Sequence, residues 1–266
     1  GIPPANGVDL NLGPLLVMCA VFGFGGSLIS LFLSKWMAKR GTGTRIIEQP
    51  ANRDEQWLVS TVQELAREAG IGMPEVGIFP SQASNAFATG WNRNSALVAV
   101  SDGLLQRFSR EEARAVMAHE IGHVANGDMV TMGLLQGVVN TFVIFLSRII
   151  GHVVDRVVFK VERGHGPAFC IVSLVAQFVL GILASIIVMW FSRWREYRAD
   201  AASASLTSNV DMIAALQRLR QEQGLPQDLP GELTAFGISE QLKQGIGSLF
   251  SSHPPLEDRI RALGGA

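Results

Sequence analysis

Residues 109–128, SREEARAVMAHEIGHVANGD, hold His119, Glu120 and His123 in the order His-Glu-x-x-His. On a helix the two histidines stand one turn apart on one face, because each residue turns the chain by about 100°. Both imidazoles can then reach one ion. Neutral imidazole nitrogen suits zinc, which prefers four ligands in a tetrahedron. Glu120 sits beside the pair without having to be a ligand. It can take a proton from a water whose acidity the ion has raised, and the hydroxide attacks a carbonyl polarised by the same ion. The reaction that uses all three side chains is hydrolysis of an amide.

The competing reading is a helix with two structural histidines. A third protein ligand separates the two, since a catalytic zinc holds three and leaves one position for water. The chain has five histidines. His152 and His165 fall in a connection on the far side of the membrane in the topology below, which leaves His253 and the carboxylates. Glu196 and Asp200, in FSRWREYRADAAS, are four apart and share a helix face. Glu196 can ligate zinc, and Asp200 can orient a ligating imidazole through its other nitrogen. Alternatively both pair with Arg193, Arg195 or Arg198 on a solvated face.

These residues need a scaffold. Ser109 followed by Glu112 has the spacing of a capping box, so a helix starts there, and Asn126-Gly127 stops it. Three apolar stretches are long enough to span a bilayer: residues 14–34, 129–147 and 166–192. The second carries Gln136 and Asn140 and also reads as a buried core helix. Lys35, Lys39, Arg40 and Arg45 follow the first, and Arg193, Arg195 and Arg198 follow the third, which favours the cytoplasm for both clusters. The second and third spans then form a hairpin (129–192) with its connection, 151–165, outside. The cytoplasmic parts are 44–128 and 193–266, and the hairpin returns Glu196 to the side of His119 and His123. Arg110, Glu111, Glu112 and Arg114 keep the histidine helix in water rather than inside the bilayer, which disfavours an intramembrane protease.

Around the histidine helix we expect an amphipathic helix over 54–70 with Trp57, Val59, Val62, Leu65 and Ala66 on one face. PEVGIFP and SALVAVS read as strands, and SNAFATG between them as an irregular or edge strand. SDGLLQRF starts another helical turn. NVDMIAALQRLRQEQG is a helix capped near Asn209 or Asp211, residues 225–237 are a Pro/Gly-rich loop, and PPLEDRIRALGG is a short helix begun by its prolines. The fold class is therefore α+β, mainly helical: a zincin-like metallopeptidase domain joined to transmembrane helices.

With 48% hydrophobic and only 17% charged residues, the composition points to a membrane protein. A net charge of -1 argues against nucleic acid as a partner. Cys19 and Cys170 both lie in apolar runs and read as small buried hydrophobes rather than a disulfide or a metal pair.

HEIGH followed by NGD, then EYRAD after a hairpin, then SHPPLEDRI, resembles the M48 family of membrane metallopeptidases. The likeness extends to SKWMAKR, NAFATG, QGVVNTFVIFLSRI and GILASIIVMWFSR, and so to nearly the whole chain. The resemblance implies a zinc-dependent endopeptidase of the bacterial inner membrane, with its active site facing the cytoplasm. It would act on misfolded or damaged membrane proteins or on unfolded polypeptides, as quality control under stress. It implies one zinc per chain on His119, His123 and Glu196, with Glu120 as base. It makes His253 a donor to the tetrahedral intermediate, against a capping role, and Asn85 a contact for a substrate strand, against a turn residue. Family members carry a further apolar span before the first one here, so we expect one upstream of Gly1. Arg259 would pair with Asp128 or another buried carboxylate, and residues 224–252 would cover the cleft. A metal-stabilised membrane scaffold or chaperone without proteolysis is the alternative, disfavoured by the intact Glu120.

Overall fold

The computed structural model describes residues 11–161, 166–223 and 253–264. The chain divides into two compact units, residues 1–30 with 132–188 and residues 31–131 with 189–266.

The first unit is built from apolar helix. It contains parts of α1 (Leu12–Thr42), α5 (Asp128–Val157) and α6 (Pro167–Leu206), and all three helices are long and apolar enough to cross a membrane. Large side chains such as Phe22, Leu174 and Phe178 face outward and are exposed. That inverts the pattern of a water-soluble helix and matches a lipid surrounding. The helices approach through small residues. A Cβ on Gly23 would collide with Thr141, and one on Gly151 with Ser173. Cys19 is buried as expected, but Cys170 is exposed on the flank of α6. Its apolar surroundings in sequence reflected an outward-facing apolar helix, not a core. The 151–165 connection is also shorter than expected, since α5 continues to Val157.

The second unit holds a four-stranded sheet in the order β1-β2-β4-β3, with β1 at Arg45–Ile46, β2 at Glu75–Phe79, β3 at Ala86–Thr89 and β4 at Leu97–Ser101. β2 and β4 run parallel, while β1 and β3 pair antiparallel at the two edges. β4 is buried along its whole length, as its run of apolar residues requires. β3 is an edge strand, as its mixed sequence suggested. β1 was not anticipated, since two residues carry no periodicity. The helices α2 (Arg53–Glu68), α3 (Asp102–Arg107), α4 (Arg110–Asn126), α7 (Asn209–Gln223) and α8 (Leu256–Gly264), with the C-terminal ends of α1 and α6 and the start of α5, complete the unit. α4 lies between the sheet on one side and α7 on the other, and α8 packs on α7. The shared core includes Leu58, Val62, Leu65, Val98, Met117, Ile121 and Leu216. Leu58, which the expected face of α2 omitted, is fully buried, whereas Trp57 and Val59 only flank the core. The cap of α7 is Ser208, next to Asn209, and its Oγ accepts the Asp211 N–H at 3.0 Å, so the helix is capped near Asn209 and Asp211 as expected. The expected loop at 225–237 and cover at 224–252, and His165, lie outside the described residues.

Candidate metal centre

α4 is fixed at both ends by its own sequence. Ser109 Oγ accepts the Glu112 N–H at 3.1 Å, and Glu112 Oε2 accepts the Ser109 N–H at 2.8 Å, so the capping box is complete. Gly127 ends the helix in the left-handed region at φ +69°, a conformation that glycine adopts without a Cβ clash. α5 begins at the next residue, so Asp128 stands beside the helix that has just ended. Its Oδ2 lies 2.7 Å from Nδ1 of His123.

α6 continues unbroken to Leu206 and lays Glu196 and Asp200 on one face. Gly122, between the two histidines, lets α6 approach α4. A Cβ there would sit 2.9 Å from that of Ala202 and 3.3 Å from the Ala199 carbonyl oxygen. Ser203 Oγ donates to the Ala115 carbonyl at 2.7 Å and ties the same helices together.

Glu196 therefore faces both imidazoles. Its Oε1 is 3.3 Å from His123 Nε2 and its Oε2 is 3.6 Å from His119 Nε2. One ligand atom from each of the three residues lies within 4.8 Å of the others. Each imidazole has its Nδ1 committed to a carboxylate, that of His123 to Asp128 and that of His119 to Asp200 at 2.9 Å. An Nδ1–H donated to a carboxylate fixes the tautomer that leaves the Nε2 lone pair for a metal. Three converging donors with two oriented imidazoles fit a divalent ion of zinc's ligand preference.

Arg259 reaches in from α8 and grips Asp200 with two nitrogens, Nε to Oδ2 at 2.8 Å and Nη2 to Oδ1 at 2.5 Å. It also lies 3.6 Å from Glu196 Oε2. Glu196, Asp200 and Arg259 are all buried. The solvated-face reading of Glu196 and Asp200 is thereby set aside: their partners are the histidines and Arg259, while Arg195 turns to Ser192 and Arg198 to Asn126 and the Trp194 ring. Arg259 pairs with Asp200, a buried carboxylate other than Asp128, while Asp128 serves His123.

Burial alone would push both imidazoles toward the neutral form. For His119 the bonds to Asp200 and Glu196 outweigh it and raise the pKa. For His123 the bonds to Asp128 and Glu196 outweigh it and hold the pKa at about 9. Without a metal, the pair stores protons against three carboxylates, and a metal must displace them.

Glu120 is half-buried, and its Oε2 accepts the backbone N–H of Ala88 at 2.9 Å. The register explains why that N–H is available. Ser101 donates to the Asn85 carbonyl at 2.9 Å, so in an antiparallel ladder Phe87 and Thr89 also bond inward to β4, and Ala86 and Ala88 turn outward. Asn85 is exposed at the start of β3, and its Oδ1 accepts the Ala86 N–H at 2.9 Å. That contact is the local one of a turn residue. His253, just before α8, sets Nδ1 2.7 Å from Glu196 Oε2 while most of its ring stays exposed. Of the residues picked out in sequence, the structure thus gathers His119, His123, Glu196, Asp200 and His253 into one cluster, and puts Glu120 against the edge strand that starts at Asn85. Asp128 was not assigned its role in sequence, although the NGD that follows the last histidine is the signal that could have found it.

A family model described as Peptidase family M48 matches residues 52–266. The chain is 70% identical over 263 residues to Protease HtpX of Pseudomonas entomophila (strain L48), covering 99% of this chain and 89% of that protein. It is 66% identical over 263 residues, with the same coverage, to Protease HtpX of Pseudomonas syringae pv. tomato (strain ATCC BAA-871 / DC3000). Among solved structures, the crystal structure of S. mikatae Ste24p superposes with a TM-score of 0.68 at 22% identity. The match covers 93% of this chain and spans 58% of that one, and the likeness is one of fold.

Proposed function

We propose a catalytic arrangement from one premise: this chain belongs to peptidase family M48 and is a bacterial membrane metalloendopeptidase. We assign the metal as zinc, one per chain, held by His119, His123 and Glu196. When bound there, zinc supplies Lewis acidity, which polarises a peptide carbonyl and makes a water more acidic. Asp128 and Asp200 hold the imidazoles in the ligating tautomer, and Arg259 neutralises Asp200 so that this burial is tolerated. Glu120 takes the proton from the attacking water and returns it to the leaving amine nitrogen. His253, exposed beside Glu196, donates to the oxyanion that develops on the substrate carbonyl.

The substrate is read as an extended polypeptide lying along the open edge of β3, where the outward carbonyls of Ala86 and Ala88 accept strand-like hydrogen bonds and Asn85 adds an amide, while the two N–H groups are held by Asn85 and Glu120. Misfolded or damaged membrane proteins are the class this suits, because Glu196 lies only four residues past the end of the third span at Ser192. The basic clusters after the first and third spans support a bacterial inner-membrane protein with residues 44–128 and 193–266 in the cytoplasm. The single observation that carries the reading is the pair of imidazoles, each oriented by its own carboxylate with Nε2 turned to Glu196. The test is to reconstitute wild type and Glu120→Gln, and to measure bound metal and cleavage of an unfolded polypeptide on the same samples. Retained zinc with lost cleavage is expected, and full activity in the variant would overturn the assignment.

A further inference from the structure

Directly after β3, the chain turns sharply and exposes Trp91. Gly90 makes the turn at φ +148°, where a Cβ would lie 2.8 Å from the Ser95 carbonyl oxygen. The loop that follows is tied down. The Asn94 N–H donates to Asn92 Oδ1 at 2.7 Å, Ser95 N–H to the Asn92 carbonyl at 3.2 Å, and Gly72 N–H to Asn94 Oδ1 at 3.0 Å. The result is a braced tip that presents Trp91, 46% exposed, next to the exposed Arg93. The neighbouring loop, joined through Gly72, exposes Met73.

The ring of Trp91 lies 5.8 Å from that of Phe32 in α1. Phe32 falls inside the first span, two residues before its end at Ser34, which is about 3 Å along the helix axis. Past that end, Trp36 carries Arg40 over its face at 4.9 Å, while Lys35 and Lys39 hold Glu75 at the start of β2. An exposed aromatic belt flanked by cations is how a helix marks the bilayer interface. Trp91 joins that belt from outside the helix.

We propose that the tip formed by Trp91 and Arg93 is a second membrane contact: the indole enters the interfacial layer beside Phe32, and Arg93 meets lipid phosphate. The proposal rests on the membrane-spanning reading of α1 and deepens the substrate assignment above. Trp91 is three residues from Ala88, whose N–H bonds Glu120, and three residues reach at most roughly 10 Å. The tip thus sets the open edge of β3 close to the headgroups. The substrates this favours are extended segments that emerge at the bilayer surface, rather than chains drawn from bulk water.

The test uses the full chain in vesicles of phosphatidylethanolamine and phosphatidylglycerol with brominated acyl chains. An environment-sensitive fluorophore is attached through Trp91→Cys, and separately through Asn92→Cys, in a Cys19→Ser, Cys170→Ser background. A third label, through Glu111→Cys at the start of α4, is the reference. Bromolipid quenching at the two tip positions at least twofold above the reference is expected, and equal quenching at all three overturns the proposal. In unlabelled protein, Trp91→Glu is expected to lower cleavage of a bilayer-tethered polypeptide several-fold relative to cleavage of a soluble unfolded one; an unchanged ratio overturns the placement of the edge. Quenching is read without catalysis. A protein that cleaves nothing yet is quenched at the tip removes the protease assignment and leaves the membrane contact, and an active protein without quenching does the reverse.

Discussion

In the helical unit, several hydroxyl side chains find partners within one turn of themselves. Ser27 donates to the Gly23 carbonyl at 3.1 Å, Thr141 to Gly137 at 2.7 Å, and Ser185 to Ile182 at 2.7 Å. Around the candidate metal centre, charged side chains depend on residues far away in sequence. Arg259 meets Asp200 across 59 positions and lies 3.5 Å from a nitrogen of His119 across 140. The difference follows from charge. A hydroxyl in an apolar surrounding is satisfied by a backbone carbonyl three or four residues back, but a buried carboxylate needs a cation or a metal, which a single helix turn seldom supplies. These hydroxyls are therefore nearly independent of one another, whereas the charged groups around the candidate metal centre form one network in which each removal strands a charge.

That contrast can be broken or sharpened by experiment, beginning with the largest effect. Glu120→Gln removes the proposed proton acceptor and leaves the three proposed ligands, so kcat should fall by about 10²–10⁴ while metal content is unchanged. If elemental analysis shows the metal lost too, Glu120 belongs to the donor set and the network is wider than drawn. Arg259→Met leaves Asp200 buried without its cation. We expect a loss on the order of 3–5 kcal/mol, read by denaturant or thermal unfolding in detergent. A change below about 1 kcal/mol would mean that water or a neighbour reaches Asp200.

The third effect is a pH dependence. The folded pKa of His123, about 9, lies above its ordinary value of 6.5. Its contribution to the metal-free protein is thus fully present below pH 6.5 and is lost as pH rises through 9, and it is on the order of 3 kcal/mol. Metal-free protein should lose stability over that window, and zinc binding at pH 7 should release protons. Calorimetry in buffers of different ionisation enthalpy measures the release, and none at all would sink the assignment of the stored protons. Next, Asp128→Asn should weaken metal binding by about 10–100-fold, measured by competition with a chromophoric chelator; unchanged affinity would show that His123 is oriented without Asp128. Smallest of all, Thr141→Val in the helical unit should cost about 0.5–1 kcal/mol in the same unfolding assay, because its hydroxyl bonds the Gly137 carbonyl of its own helix. A loss comparable to that of Arg259→Met would erase the distinction between the two units.

Much of this was written in local pattern. The capping box at Ser109, the His-Glu-x-x-His spacing, the three apolar stretches, the edge character of NAFATG and the proline-started last helix depend on residues within one element. Each could be read from propensity and periodicity. Other features could not. β1 is too short to show a period. Cys170 lies in the same kind of apolar run as Cys19, yet one is buried and the other is not. A run says only that the surroundings are apolar; it does not say which flank of the helix meets a neighbour.

By itself, then, the sequence determined the chemistry on offer: two imidazoles one turn apart, a carboxylate beside them, two more carboxylates four apart on a later helix, and spans that bring that helix back. Only the tertiary structure decided who serves whom. Asp128 rather than a distant residue orients His123, because the left-handed Gly127 ends α4 and starts α5 at that point. Asp200 orients His119, because Gly122 lets α6 come close enough. Arg259 goes to Asp200, because α8 packs on α7 and carries the cation to that buried charge. Pairings of buried charges depend on which surfaces touch, and that is a property of packing, which local pattern does not encode.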